Sequence, residues 1–239
     1  MYCYQCEQTS KGTGCTTFAT CGKDEPTAIL QDLLVHASKG IAQFAHRARG
    51  VGAQNKTVDR FIIEALFTTV TNVNFDAQRI EQMIRHAATV RDQAREIYEN
   101  ACRQAGQNPA SLNGPSTWTP APNFDGLVKQ GEAVSVLSRQ DQLGPDLAGL
   151  QDLLLFGVKG AAAYAEHARI LGFESEEIYA YFAEALAYLT EAKPTVEALL
   201  GLCLRCGEIN LKVMELLDSA HTRTYGHPVP TPVRIEPVK

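Results

Sequence analysis

No apolar run in the chain is long enough to cross a bilayer, and its first residues lack the basic-then-apolar order of a secretory signal. No membrane association is expected, and the cytoplasm is the default compartment. A dense run of lysine or arginine is also missing. With a formal net charge of −5, the chain has the wrong sign for nucleic acid, although docking to a basic redox partner stays open. No P-loop, dinucleotide glycine motif or Ser/His/Asp arrangement is present. The six histidines never fall at His-x3-His or His-Glu-x-x-His, so no helix offers a pair of imidazole ligands. Glu166-His167 reads as a surface or satisfied core pair, and the single tryptophan, Trp118, reads as packing.

What the chain does have is helical periodicity. Leu30, Leu33, Leu34, Ala37, Ile41, Phe44, Ala45 and Ala48 recur at three- and four-residue steps, which places them on one helix face. The same rule predicts helices over about 26–49, 58–72, 77–105, 146–171, 175–190 and 194–219. Between 106 and 145, Pro109, Gly114, Pro115, Pro120, Pro122, Gly144 and Pro145 punctuate the pattern, so a long connection with one short helix near 124–131 is expected. From His221 onward an extended exit segment is expected.

The halves are related. Leu30-Gln31-Asp32-Leu33-Leu34 returns 120 residues later as Leu150-Gln151-Asp152-Leu153-Leu154, and Lys39-Gly40 returns as Lys159-Gly160. Ala42, Ala45, Ala48, Arg49 and Gly52 match Ala162, Ala165, Ala168, Arg169 and Gly172, and Glu64-Ala65-Leu66 returns as Glu184-Ala185-Leu186. Chance similarity of amphipathic helices would match apolar positions but not Gln, Asp, Lys and Arg as well, so a duplicated helical unit is inferred. The expected fold is all-α: a cysteine-rich loop (1–25), one three-helix bundle (26–105), the connection (106–145), a second three-helix bundle (146–220) and the exit segment (221–239). Gly40 and Gly160 inside helices suggest close helix–helix approach in both bundles, because an interior Gly otherwise costs about 1 kcal/mol against Ala.

The chemistry concentrates at the start. Seven cysteines without an export signal point to metal chemistry rather than disulfides. Four of them, Cys3, Cys6, Cys15 and Cys21, follow one another as C-x2-C-x8-C-x5-C. Four soft thiolates on a short loop suit an iron–sulfur cluster, with Gly12, Gly14 and Gly22 supplying positive-φ freedom and Lys11 and Lys23 offsetting negative charge. Structural zinc is the rival, although zinc ribbons usually carry two C-x2-C knuckles. Cys203 and Cys206 stand at i and i+3 of a helix and, like Cys102, read as core.

Met1-Tyr2-Cys3-Tyr4-Gln5-Cys6-Glu7-Gln8-Thr9, Gly14-Cys15, Cys21-Gly22-Lys23 and Leu30-Gln31-Asp32-Leu33-Leu34 together resemble the start of the hybrid cluster protein family, also called prismane or hydroxylamine reductase. The resemblance continues through Thr71-Asn72-Val73-Asn74-Phe75-Asp76, Ser116-Thr117-Trp118-Thr119, Lys159-Gly160-Ala161-Ala162-Ala163-Tyr164-Ala165-Glu166-His167-Ala168 and Thr224-Tyr225-Gly226-His227-Pro228, so it covers the chain. It implies that Cys3, Cys6, Cys15 and Cys21 ligate a [4Fe–4S] cluster, since the short spacing resembles members with four irons and wider spacing goes with [2Fe–2S]. In that family two three-helix bundles form the first domain. Its cluster feeds electrons to a hybrid iron–sulfur–oxygen cluster, where hydroxylamine or nitric oxide is reduced. Family enzymes are about twice as long, and their hybrid-cluster ligands lie in two further α/β domains. Nothing in this chain matches those ligands, so it carries no catalytic residue of that reaction centre.

The expectation is an electron-transfer module, inactive alone, either excised or separately encoded. Its partners would be the remaining catalytic domains or a separate catalytic chain, a redox donor protein, and a second copy if exposed apolar surface drives homo-oligomerisation. The alternative is a helical interaction module with a structural iron–sulfur or zinc site. The more distant nickel carbon monoxide dehydrogenases match the opening motif less well.

Overall fold

The computed structural model describes residues 1–7 and 13–234; the readings of Lys11, Gly12 and the last five residues lie outside them. Among the described residues the fold is all-α, with no strand: α1 (Glu25–Gly50), α2 (Lys56–Thr68), α3 (Ala77–Gln104), α4 (Phe124–Ala133), α5 (Val136–Leu143), α6 (Pro145–Ile170), α7 (Glu176–Tyr188) and α8 (Val196–Tyr225). Local chemistry sets the starts. Asp24, Asn55, Asp76 and Thr195 each cap a helix by accepting from first-turn amides, and Pro26 and Pro145 sit where no intrahelical N–H is needed.

The apolar stripe of α1 faces the core: Leu30, Leu33, Leu34 and Ile41 are fully buried, each worth about 1.5–3 kcal/mol on removal from water. Packing is reciprocal between the repeats. Helix α1 lies on α3, as α6 lies on α8, and the halves interlock because α1 also packs on α7 and α2 on α6. Pairs exchanging 1 for 6, 2 for 7 and 3 for 8 are what a duplicated unit would produce, and the arrangement is compatible with one. The Arg60 guanidinium clamps the Glu174 carboxylate with two bonds of 2.6 and 2.9 Å, fastening α2 to the turn before α7. That pairing holds the Glu174 carboxyl down at about 2.

Three details differ from expectation. The connection holds a 3-10 turn (Gly114–Ser116) and a second helix, α5, in addition to α4. Helix α8 continues to Tyr225 rather than stopping before His221, because nothing breaks its ladder until Gly226 turns to φ 82°. The paired glycines part company. A Cβ on Gly40 would lie 2.3 Å from the Pro115 carbonyl oxygen, so the close approach is to the connection rather than to another helix; at Gly160 nothing lies within 4 Å.

That asymmetry is general. The connection returns over α1 and covers Gly40, while α4 closes on Ile29 through Gly131. The equivalent face of α6 is open, and Leu33 is fully buried whereas its counterpart Leu153 is 59% exposed.

His36 sits half-buried on α1 with its ring edge-on to Trp118, 6.1 Å between centroids. Burial, with help from the nearby Lys39 ammonium, pushes its pKa down to about 4. Between pH 4 and 6.5 the unfolded chain therefore binds more protons at this position, so stability rises with pH there and falls on acidification. The expected contribution is about 3 kcal/mol lost between pH 6.5 and 4, at about 1.4 kcal/mol per unit. Denaturant titrations at several pH values should show this component missing in His36→Gln; an acid limb identical to that of the unaltered chain would refute it.

Candidate metal centre

The cysteine loop begins as a short antiparallel contact. Cys3 and Cys15 exchange both backbone bonds, Cys3 N–H to Cys15 C=O at 3.0 Å and Cys15 N–H to Cys3 C=O at 2.8 Å. In such a hydrogen-bonded pair the two side chains leave the same face with Cα atoms about 5.5 Å apart. Gly14, at φ 126°, lies under the Tyr2 ring, 2.9 Å from where a Cβ would stand. Gly22, at φ 92°, follows Cys21 in a turn closed by its N–H to the Ala19 carbonyl at 2.8 Å. Both glycines thus adopt the backbone expected of them.

Cys15 is buried, while Cys3, Cys6 and Cys21 are partly exposed, and none of the seven cysteines is in a disulfide. The structure therefore pairs Cys3 with Cys15. Among the described residues no three or more His, Cys, Asp or Glu side chains converge tightly enough to enclose a metal ion. Burial pushes the Cys3 thiol up, opposed by the Gln5 backbone N–H and by the charges of Lys23 and Lys159, and reinforced by that of Asp32.

The loop straddles both repeats, and residues of the duplication hold it. Between Cys3 and Cys6, the Tyr4 hydroxyl donates to the Asp152 carboxylate, and the Lys159 ammonium donates to Gln5 Oε1 at 3.1 Å. The Tyr4 ring also meets Phe156 edge-on at 5.8 Å. All three anchors belong to α6. At the other end, Lys23 donates to Gln31 Oε1 of α1 at 2.6 Å, and Gln31 Nε2 in turn donates to the Asn74 carbonyl at 3.0 Å.

Beneath the loop lies a set of charges that are buried or half-buried. Lys23, Lys39 and Lys159 are at most 7% exposed. Arg139 pairs with Asp152 and reaches Gln151 Oε1 at 3.4 Å. Asp32 completes the set; burial raises its pKa to about 6, with Lys159 and Arg139 pulling it back. Burial pushes the pKa of Lys39 down to about 7 and that of Lys159 to about 8, so Lys23, Lys159 and Arg139 are the cations that face the two carboxylates at neutral pH. Lys39 lines a cavity of about 300 Å³ with His36, Arg139 and Gln142.

Sequence reading used Gln31, Asp152 and Lys159 only as marks of duplication and missed that they hold the loop. Their signal was available: charged and amide side chains inside otherwise apolar helical stripes, repeated at a fixed offset. The other singled-out residues take structural places. Cys102 and Cys206 are buried and Cys203 is half-buried, with Cys206 under Gly157. Glu166 is buried against Arg169, bound at 2.6 and 2.7 Å, and His167 stacks edge-on with Phe67.

The whole chain, residues 1–239, matches the model of the Prismane/CO dehydrogenase family. It is 53% identical over 233 residues to a hydroxylamine reductase of Rhodospirillum rubrum, covering 98% of this chain and 42% of that protein. A hydroxylamine reductase of Acidithiobacillus ferrooxidans is 46% identical across 100% of this chain and 44% of its own length. One from Geobacter sulfurreducens is 41% identical, with 98% and 42% covered. The chain spans less than half the length of these curated relatives. A family match along every residue, with the cysteine loop and the helices it straddles inside it, places the chain in the Prismane/CO dehydrogenase family.

Proposed function

We propose that this chain is an electron-transfer module whose loop holds a [4Fe–4S] cluster through Cys3, Cys6, Cys15 and Cys21, serving catalytic domains of the kind that complete its longer relatives. The observation that carries the reading is the seating of the cysteine loop over a largely buried group of basic side chains that outnumber the carboxylates among them. Four thiolates on such a cluster bear a net negative charge of about two, which the Lys23, Lys159 and Arg139 cations, set against the Asp32 and Asp152 carboxylates, would partly offset. The donor set fits as well, being all sulfur and placed on a loop with two positive-φ glycines. When bound, the cluster supplies one-electron transfer. The chain's own residues do the rest: Tyr4 and Gln5 fix the first ligand turn to α6, Lys23 fixes the last to α1, and the ladder between Cys3 and Cys15 holds two ligands side by side. A tetrathiolate zinc site would carry a similar charge, so composition decides between them.

Anaerobic purification with iron, sulfide and zinc quantification tests the reading, followed by EPR of the reduced protein. About four iron and four sulfide per chain, with a signal from the reduced state, are expected. Zinc without sulfide would sink it. Hydroxylamine reduction is expected to be absent from the isolated chain, since the reaction centre belongs to the domains that it would feed; robust turnover by the purified chain would contradict the module reading.

The open face of α6 and α8 favours a second role for the same molecule, as a packing surface. Leu153, Tyr164, Leu204, Leu211 and Met214 are exposed there beside a groove lined by Gly157, Gly160 and Cys203. Exposed apolar surface of this extent marks a contact site. In the isolated chain it is expected to drive self-association, which sedimentation should show weakened by Leu204→Glu.

A further inference from the structure

Of the two lysines related by the offset of 120 residues, one is hydrogen-bonded to the cysteine loop and the other lines a cavity. Lys159, only 4% exposed, donates to Gln5 Oε1 at 3.1 Å and to the Thr69 carbonyl at 3.2 Å. It thereby joins the loop, the end of α2 and α6 at one atom, the ammonium nitrogen. Both acceptors are neutral, so among the described residues no direct ion-pair partner cancels its positive charge. Lys39, its counterpart 120 residues earlier, lines the cavity beside Arg139 and makes no hydrogen bond to the described residues of the loop.

We propose that Lys159 is a positioning residue that sets the reduction potential of the centre held by the cysteine loop, its buried ammonium favouring the added electron, with the Asp32 carboxylate acting in the opposite sense. The inference rests on the cluster reading above. Its physics is simple: an electron arriving on a thiolate-ligated cluster adds negative charge in a half-buried region, where a nearby charge acts at an effective dielectric of about 20 rather than 80. Removing a cation makes reduction harder and removing a carboxylate makes it easier. Lys159 reaches the turn between Cys3 and Cys6 through Gln5, and Asp32 lines a pocket with Met1 and Tyr2 at the start of the loop. Lys39 instead lines the cavity with His36 and Arg139, which makes it the internal control.

The test is a redox titration followed by EPR at pH 7, with iron content measured on each sample. Lys159→Met should lower the ratio of reduced to oxidised cluster about tenfold at a given potential, a shift of about 59 mV to more negative values for one electron. Asp32→Asn should move the ratio the other way. Lys159→Arg should return toward the unaltered chain, and Lys39→Met should leave the ratio within about twofold. Opposite signs at Lys159 and Asp32 could not come from general loosening of the loop.

Should Lys159→Met fail to hold iron, Lys159→Gln keeps a donor for Gln5 and Thr69 and yields the measurement. Loss of iron from both neutral variants, with retention in Lys159→Arg, would itself support a requirement for the charge. A fully loaded neutral variant with an unchanged potential overturns the proposal, as do shifts of one sign at Lys159 and Asp32. Absence of iron and sulfide from the unaltered chain would instead remove the cluster reading, so the two failures are distinct.

Discussion

Replacing Cys15 by serine is expected to strip the iron from the purified chain, from about four atoms to less than about one tenth of that, with loss of the visible absorbance. Cys15 is the most enclosed of the four proposed ligands, 5% exposed, and its backbone is locked to Cys3 by both ladder bonds. A serine there is a hard, protonated oxygen in place of a soft thiolate, and the surrounding backbone leaves little freedom to recruit another donor. The buried lysines would then face an incomplete anion, so loading should fail rather than yield a weaker cluster. Cys102→Ser, in the α3 core, is the matched control: it disturbs packing and should keep its iron. Iron and sulfide analysis of the two proteins, purified together, decides the matter, and full loading of Cys15→Ser would remove it from the ligand set.

Gly40→Ala and Gly160→Ala should change stability in opposite directions although the two positions are related by the offset of 120 residues. Alanine gains about 1 kcal/mol over glycine in any helix interior. At Gly160 no described residue outside its own helical turn opposes that gain, since none comes within 4 Å of the new methyl. At Gly40 the methyl would stand 2.3 Å from the Pro115 oxygen and 2.6 Å from its carbonyl carbon. These are backbone atoms, braced by the Ser116 N–H bond to Gln43 Oε1 at 3.0 Å, so they cannot simply rotate away. Overpacking of about 3 kcal/mol against rigid neighbours leaves a net loss of about 2 kcal/mol. For a chain of this size thermal unfolding should shift by about 6 °C downward for Gly40→Ala and about 3 °C upward for Gly160→Ala. Equal shifts in the two variants would show that the connection does not press on α1.

Much of the helical layout was legible because one rule governs it. A stripe at three- and four-residue steps states that a segment is helical and which face is apolar, and the capping residues state where it begins; α1, α3 and α6 fall within a residue of expectation for that reason. Helix α5 escaped because Ser138, Arg139, Gln140, Asp141 and Gln142 make a polar run with almost no stripe. The last turn of α8 escaped because threonine and histidine are poor helix formers without being breakers, and the break waits for Gly226.

The cysteine spacing, the resemblance it carries and the offset of 120 residues were properties of the sequence alone, since they depend only on which residues stand where. Tertiary structure decided how the copies differ. Lys39 and Lys159, Gly40 and Gly160, and Leu33 and Leu153 are identical in type and register, yet one glycine meets a backbone and one lysine meets the cysteine loop. The reason is that the loop and the connection are each present once, so they must break the equivalence of the repeats they pack on. A local pattern cannot encode which copy a distant segment will cover; that choice is made when loop and connection fold back, and it assigns Lys159 its place beside Gln5.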